Sequence, residues 1–208
     1  MSVADRFLPD PDLTVTEISL VDADPASTYA AIDQADVSSD RLLGVLGGFV
    51  DLDKLLAGSR VRPKKLGELL GSELGFVPLA EDPPLLRVAG LVGRYSPFDR
   101  GVVRLEPGAF ASFDVPGHVK TTVVFSLRPQ SDGNTLLTCD VRARATDDDT
   151  RSTLRATQFM VLPAARMLCR RLLDLVKQQA EGGSLGTQRA EGGDGNRDQD
   201  DAGDLDAG

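Results

Sequence analysis

Residues with the chemistry for catalysis or polar recognition are few and widely spaced. Gly90-Leu91-Val92-Gly93-Arg94-Tyr95, Phe98 and Asp99-Arg100 fall between two apolar runs. At a cavity mouth, Tyr95, Asp99 and a neighbouring Arg would orient a polar ligand head or move a proton. A polar turn between strands accounts for the same residues more simply, and we favour it. His118 is the only histidine. It has no evident Ser or Cys nucleophile to serve as general base, and beside Pro116-Gly117 it reads as a strand-end surface residue. Lys120 and Arg142 either face each other across strands or pair with Asp114 and Asp140. They would suit a carboxylate or phenolate, although a solvated charged face is the plainer reading.

Metal and phosphate chemistry find less support. Cys139 and Cys169 sit among apolar neighbours, where a free thiol acts as a small hydrophobe, and one His with no Cys-x-x-Cys argues against zinc. Asp147-Asp148-Asp149 lacks calcium-loop spacing and instead suits the positive end of a helix. Gly90 and Gly93 do not make a phosphate loop. The reading therefore includes neither a metal nor a cofactor.

The elements that must position these groups follow from composition and periodicity. With 208 residues, 41% of them hydrophobic, the chain is long enough for one cored domain without disulfide or metal staples. Of the net charge of −9, the stretch from Glu181 to Gly208 holds −6: eight acidic residues against Arg189 and Arg197. The body is nearly neutral and has no basic stripe with interleaved aromatics, so nucleic acid is not an expected partner. No stretch approaches the length of a membrane span, and no signal peptide is visible, so the expected compartment is the cytoplasm.

Residues 13–22 read as a first strand, and Asp24-Pro25 as the N-cap and first position of a helix ending near Ala35. Short helical pieces are expected from Asp40, over 51–57 and over 63–70. Strands are expected over 84–93, 102–106 and 109–115. The clearest alternation spans 118–128 and 135–145, joined by Ser131-Asp132-Gly133-Asn134 in a hairpin turn. Val119, Thr121, Val123, Phe125 and Leu127 share one face with Leu137, Cys139, Val141 and Ala143. From Asp147 a long helix carries Leu154, Val161, Ala165, Leu168, Leu172 and Val176 as an apolar stripe, with Pro163 expected to kink or divide it. The domain limits expected are a flexible N-terminus over 1–11, a folded unit over 12–180 and a disordered acidic tail over 181–208.

This order, with VDADPASTYAAI (21–32), PGHVKTTVVFSLRP (116–129) and RARATDDDTRSTLRATQFMVLPAARMLCRRLLDLVK (142–177), resembles the START-like superfamily. That superfamily, also called SRPBCC, includes pollen-allergen-like carriers, lipid-transfer domains and bacterial polyketide cyclases or dehydratases. The resemblance implies an α+β helix-grip fold, a curved antiparallel sheet around a long C-terminal helix, with an apolar cavity inside. The expected ligand is a small apolar or amphipathic molecule. The residues expected to line or fill the interior are Val88, Val92, Tyr95, Val119, Val123, Phe125, Leu137, Cys139, Val141, Phe159 and Leu162. A cyclase- or dehydratase-like enzyme using Tyr95, Asp99, His118 or Arg142 is the alternative. A third reading is a protein-interaction module that docks through the basic flank of the last helix or the acidic tail; the sequence identifies no protein partner.

Overall fold

The computed structural model describes residues 3–37, 64–71, 74–95, 101–106 and 108–191, with side chains as far as 182. Six antiparallel strands form one curved sheet: β1 (Leu13–Val21), β2 (Val77–Asp82), β3 (Leu86–Arg94), β4 (Val102–Val103), β5 (His118–Pro129) and β6 (Thr135–Ala145). The order across the sheet is β1-β6-β5-β3-β2, with β4 beside the end of β3. The long C-terminal helix packs against one face in a helix-grip arrangement.

Local chemistry explains most boundaries. Helix α1 (Val3–Phe7) precedes β1, and α2 (Pro25–Gln34) follows it. Asp24 caps α2, its carboxylate accepting from the Ala26 and Ser27 amides at 2.8 and 3.0 Å. Proline then occupies the first helical position, where its missing N–H costs nothing. Helix α3 (Leu66–Leu69) lies within the last of the expected helical pieces. The pieces expected from Asp40 and over 51–57 lie outside the described residues, as does Asp99. The β5–β6 hairpin closes through Gly133, whose φ of 85° suits glycine, and Gln130 N donates to Asn134 O at 2.8 Å.

The terminal helix α5 (Asp148–Glu191) runs through Pro163 as one element. Proline removes the bond normally accepted by the Phe159 carbonyl. Phe159 is 71% exposed, so water can satisfy that carbonyl. Past Pro163 the helix is seated firmly: Cys169, Leu172, Leu173 and Val176 join residues of α2, β1, β5 and β6 in the main core. It also continues beyond the expected end near Ala180, which is itself buried. Glu181 accepts from the Asp22 amide at 2.9 Å and tethers this turn to the end of β1.

Two expectations need correction. Residues 109–115 do not extend the sheet. Residues Ala109–Ser112 form helix α4, and Phe110 lies so close over Gly90 that a Cβ there would come within 2.8 Å of the ring. Nor is the segment before Leu13 loose. Ala4 and Leu8 are buried, and Ala4 packs with Val88 and Val124 on the sheet face opposite α5. Arg142 on β6 pairs with Asp5, and Asp12 pairs with Arg151 on α5 at 3.0 Å.

Candidate functional site

Strand alternation divides the sheet into an inner face toward α5 and an outer face under α1 and α4. On the inner face, Leu13 and Val15 of β1, Leu91 and Gly93 of β3, Val119, Thr121 and Val123 of β5, and Val141 and Ala143 of β6 surround a void of about 160 Å3. Val161, Leu162, Ala165 and Leu168 of α5 roof it. These four are only half-buried, unlike the fully buried side chains farther along the helix. Over this stretch the α5 side chains pack only in part on the core and border the void, whereas from Cys169 onward those that face the sheet are buried in the core. Leu154 is buried at the opposite end of the roof.

Besides Thr121, the floor and roof meet at one polar pair. Tyr95 lines the void, and its hydroxyl lies 2.6 Å from Thr157 Oγ1 on α5. The Thr157 hydroxyl donates to the Thr153 carbonyl at 3.0 Å, so it is left to accept from the Tyr95 O–H. The phenolic oxygen of Tyr95 therefore keeps acceptor capacity. Backbone geometry fixes the pair: Tyr95 N donates to Gly117 O at 3.0 Å just past β3. The exposed Arg94 adds a cation to the lining. Among the described lining residues there is no carboxylate, histidine, lysine or cysteine.

The expected site residues divide by face and depth. Tyr95, Val119, Val123, Val141 and Leu162 line the void. Phe125, Leu137 and Cys139 also point inward, but they are packed solidly in the core and are not part of the lining. Val88 and Val92 need correction. In register with Val124 and Lys120, they belong to the outer face. Phe159 also needs correction, since it is exposed on the far side of α5.

His118, Arg142 and Lys120 lie away from the void, on the outer face. His118 is on the outer face but buried rather than at the surface, because the segment before β5 covers it, and its Nδ1 lies 3.0 Å from Val115 O and 2.9 Å from Pro116 O. These acceptors require the proton on Nδ1, while the ring edge packs against Phe113 with centroids 5.2 Å apart. Arg142, also on the outer face, is held by Asp5 and by Asp140 at 3.2 Å. Lys120 does not face Arg142. The hairpin register places Lys120 opposite Arg144, and Arg142 opposite Thr122. Thr157 escaped the sequence reading because its partner is 62 residues away.

Asp147 supports the site from outside. Its carboxylate accepts from Thr150 Oγ1 at 2.7 Å, Gly117 N at 2.6 Å and Thr150 N at 2.9 Å. These bonds, led by the Thr150 hydroxyl, hold its pKa well below the usual carboxylate range. They fix the start of α5 to the turn before β5, and so fix the distance between roof and floor.

Among the described residues, no helix is long and apolar enough to cross a membrane. No protein-family model matches the sequence, and no curated protein is similar to it. Solved structures of similar arrangement include TTHA0849 from Thermus thermophilus, at 11% identity and a TM-score of 0.34. That match covers 83% of this chain and 99% of the other. MLL2253 from Mesorhizobium loti is 15% identical, with 78% and 97% covered and a TM-score of 0.33. The di-domain ARO/CYC StfQ from the steffimycin biosynthetic pathway is 16% identical, with 84% and 53% covered and a TM-score of 0.29. At such identities the likeness concerns the fold alone, and no residue's role passes from these proteins to this chain.

Proposed function

We propose that this domain binds a small apolar or amphipathic molecule in the void between α5 and the inner sheet face. The observation that carries this reading is the half-buried stripe Val161, Leu162, Ala165 and Leu168, held over an apolar floor without filling it. A close-packed interior normally leaves no such space, because an empty void forfeits contacts on every wall.

The size of the void sets the class of ligand. At about 160 Å3 it resembles voids that stay dry and accept one benzene-sized ring (about 150 Å3). The enclosed part of the ligand is thus a single ring or a short branched chain. Tyr95 offers an acceptor at the wall, which favours a ligand carrying a hydroxyl there. A described lining that holds Tyr95, Thr121 and Arg94 but no carboxylate or imidazole supports holding a molecule rather than turning it over.

Native mass spectrometry of gently purified protein, with denaturing extraction of any added mass, gives the first test. The second compares toluene with phenol by their effect on the melting temperature. Both are expected to stabilise the protein, phenol more strongly, and Tyr95→Phe is expected to remove phenol's advantage while preserving the toluene response. A bare mass together with no stabilisation by either compound would exclude the reading.

A further inference from the structure

The outer face carries a second feature, independent of the apolar void. Lys120 and Arg144 stand directly opposite each other on β5 and β6. Like charges in that position destabilise an antiparallel pair. Lys120 is also only 8% exposed, and a buried lysine is ordinarily paired with an acid. Here its ammonium donates to the Ala111 carbonyl at 2.9 Å and lies 5.0 Å from the Phe110 ring centroid. Arg144 donates through Nη1 to the Pro9 carbonyl at 2.9 Å. Neither has a carboxylate within ion-pairing distance among the described residues.

The neighbouring cations show the contrast. Arg142 is paired with Asp5 and Asp140, and Arg151 with Asp12 and Asp148. Lys120 and Arg144 instead open onto a cleft of about 360 Å3 between the segment after α1 and helix α4. Asp114 also lines it, as the single carboxylate on the described wall, and Arg151 forms part of its edge. Burial, reinforced by the charge of Arg144, holds the Lys120 pKa below its ordinary value, with Asp114 opposing in part.

We propose that this cleft is a binding site for a phosphate-type oxyanion, held between Lys120 and Arg144. An ammonium with one N–H on a carbonyl has two left to donate, and a guanidinium with one engaged N–H has four. Arg supplies a planar fork for two oxygens, and Lys a point charge from the neighbouring strand. An oxyanion between them would turn a repulsive cross-strand pair into two attractive contacts. The backbone of Pro9 and Ala111 already holds both side chains in place, so little ordering remains to be done on binding.

The test uses the full chain, followed by melting temperature against added phosphate, with sodium chloride replaced to keep ionic strength constant. Inorganic phosphate is expected to raise the melting temperature progressively, as a ligand of the folded state must. Phenyl phosphate distinguishes the source. An equal response marks a site for the free ion, and a stronger one marks the phosphate end of a larger molecule; both support the site. Lys120→Met and Arg144→Gln are each expected to weaken binding by about tenfold or more, the loss of one charge-assisted contact. If Lys120→Met does not fold, Arg144→Gln decides, because that side chain is only half-buried. A phosphate response no larger than that of chloride, or an undiminished response in Arg144→Gln, overturns the proposal.

Discussion

Replacing Ala165 with leucine should raise stability and lower ligand affinity together, a pair of signs that a packed core cannot produce. Ala165 sits on the roof of the void, half-buried. Alanine and leucine differ little in helix propensity, so the backbone contributes almost nothing to the change. The added carbons enter apolar space at about 0.8 kcal/mol per buried methylene, so full burial is worth about 2 kcal/mol. For a domain of this size, 2 kcal/mol corresponds to a rise of about 4–8 °C in melting temperature. The assay is thermal unfolding of ligand-stripped protein, beside a titration with toluene. The reasoning fails if the variant is destabilised by about 1–3 kcal/mol, the usual cost of overpacking, while toluene binds as before. That outcome would mean the space beneath Ala165 is already filled.

Three further outcomes test the frame around the void. Leu8→Ala should cost about 2–5 kcal/mol in urea unfolding, since Leu8 is buried under the sheet; a cost below about 0.5 kcal/mol would mean that the N-terminal segment is not docked. Asp147→Asn should lower stability at neutral pH and make little difference in strong acid. The folded-state pKa lies below the unfolded one, so the contribution is complete above about pH 4 and disappears as pH falls through the folded value. An equal deficit at both pH values would show that the charge is immaterial. Thr122→Val should raise stability by about 1 kcal/mol, because the Thr122 hydroxyl is buried without a hydrogen-bond partner among the described residues; a lower urea midpoint would contradict this.

How legible each part was depended on whether its periodicity carried a face. The hairpin 118–145 alternates at all but Val124 and Leu136, so Val119, Val123 and Val141 can be assigned inward from sequence. Strand β3 does not alternate. In Leu86–Arg94 apolar residues occupy both faces, and only its pairing with β5 decides that Val88 and Val92 point outward. Phe159 was legible but misread: two positions before Val161 on a helix is a rotation of about 200°, which turns it away from the stripe. Helix α1 is too short to be stable alone, so its existence depends on docking that no local pattern reveals. The segment at 109–115 alternates well enough to suggest a strand. The chain is diverted at Gly108, whose φ of 91° favours glycine, and Phe110 finds its cover over Gly90.

The same alternation lets one sheet support two unlike surfaces. Along β5, Val119, Thr121 and Val123 face the void, while His118, Lys120 and Thr122 face the cleft and the cover supplied by α1 and α4. The two surfaces have opposite requirements. The inner one needs a roof held away from its floor, which Asp147 and the buried second half of α5 provide from either end. The outer one needs cations kept apart from carboxylates. Asp5, Asp12 and Asp140 are engaged with Arg142 and Arg151, and Asp114 lies beyond ion-pairing distance of Lys120. A register slip of one residue would drive Lys120 into the apolar void and expose Val119 to the cleft, losing both surfaces at once. The hairpin register is therefore the feature on which both surfaces depend. It is also the part of the fold that the sequence specifies most strongly, through alternation on both strands that only Val124 and Leu136 interrupt and a turn that requires Gly133.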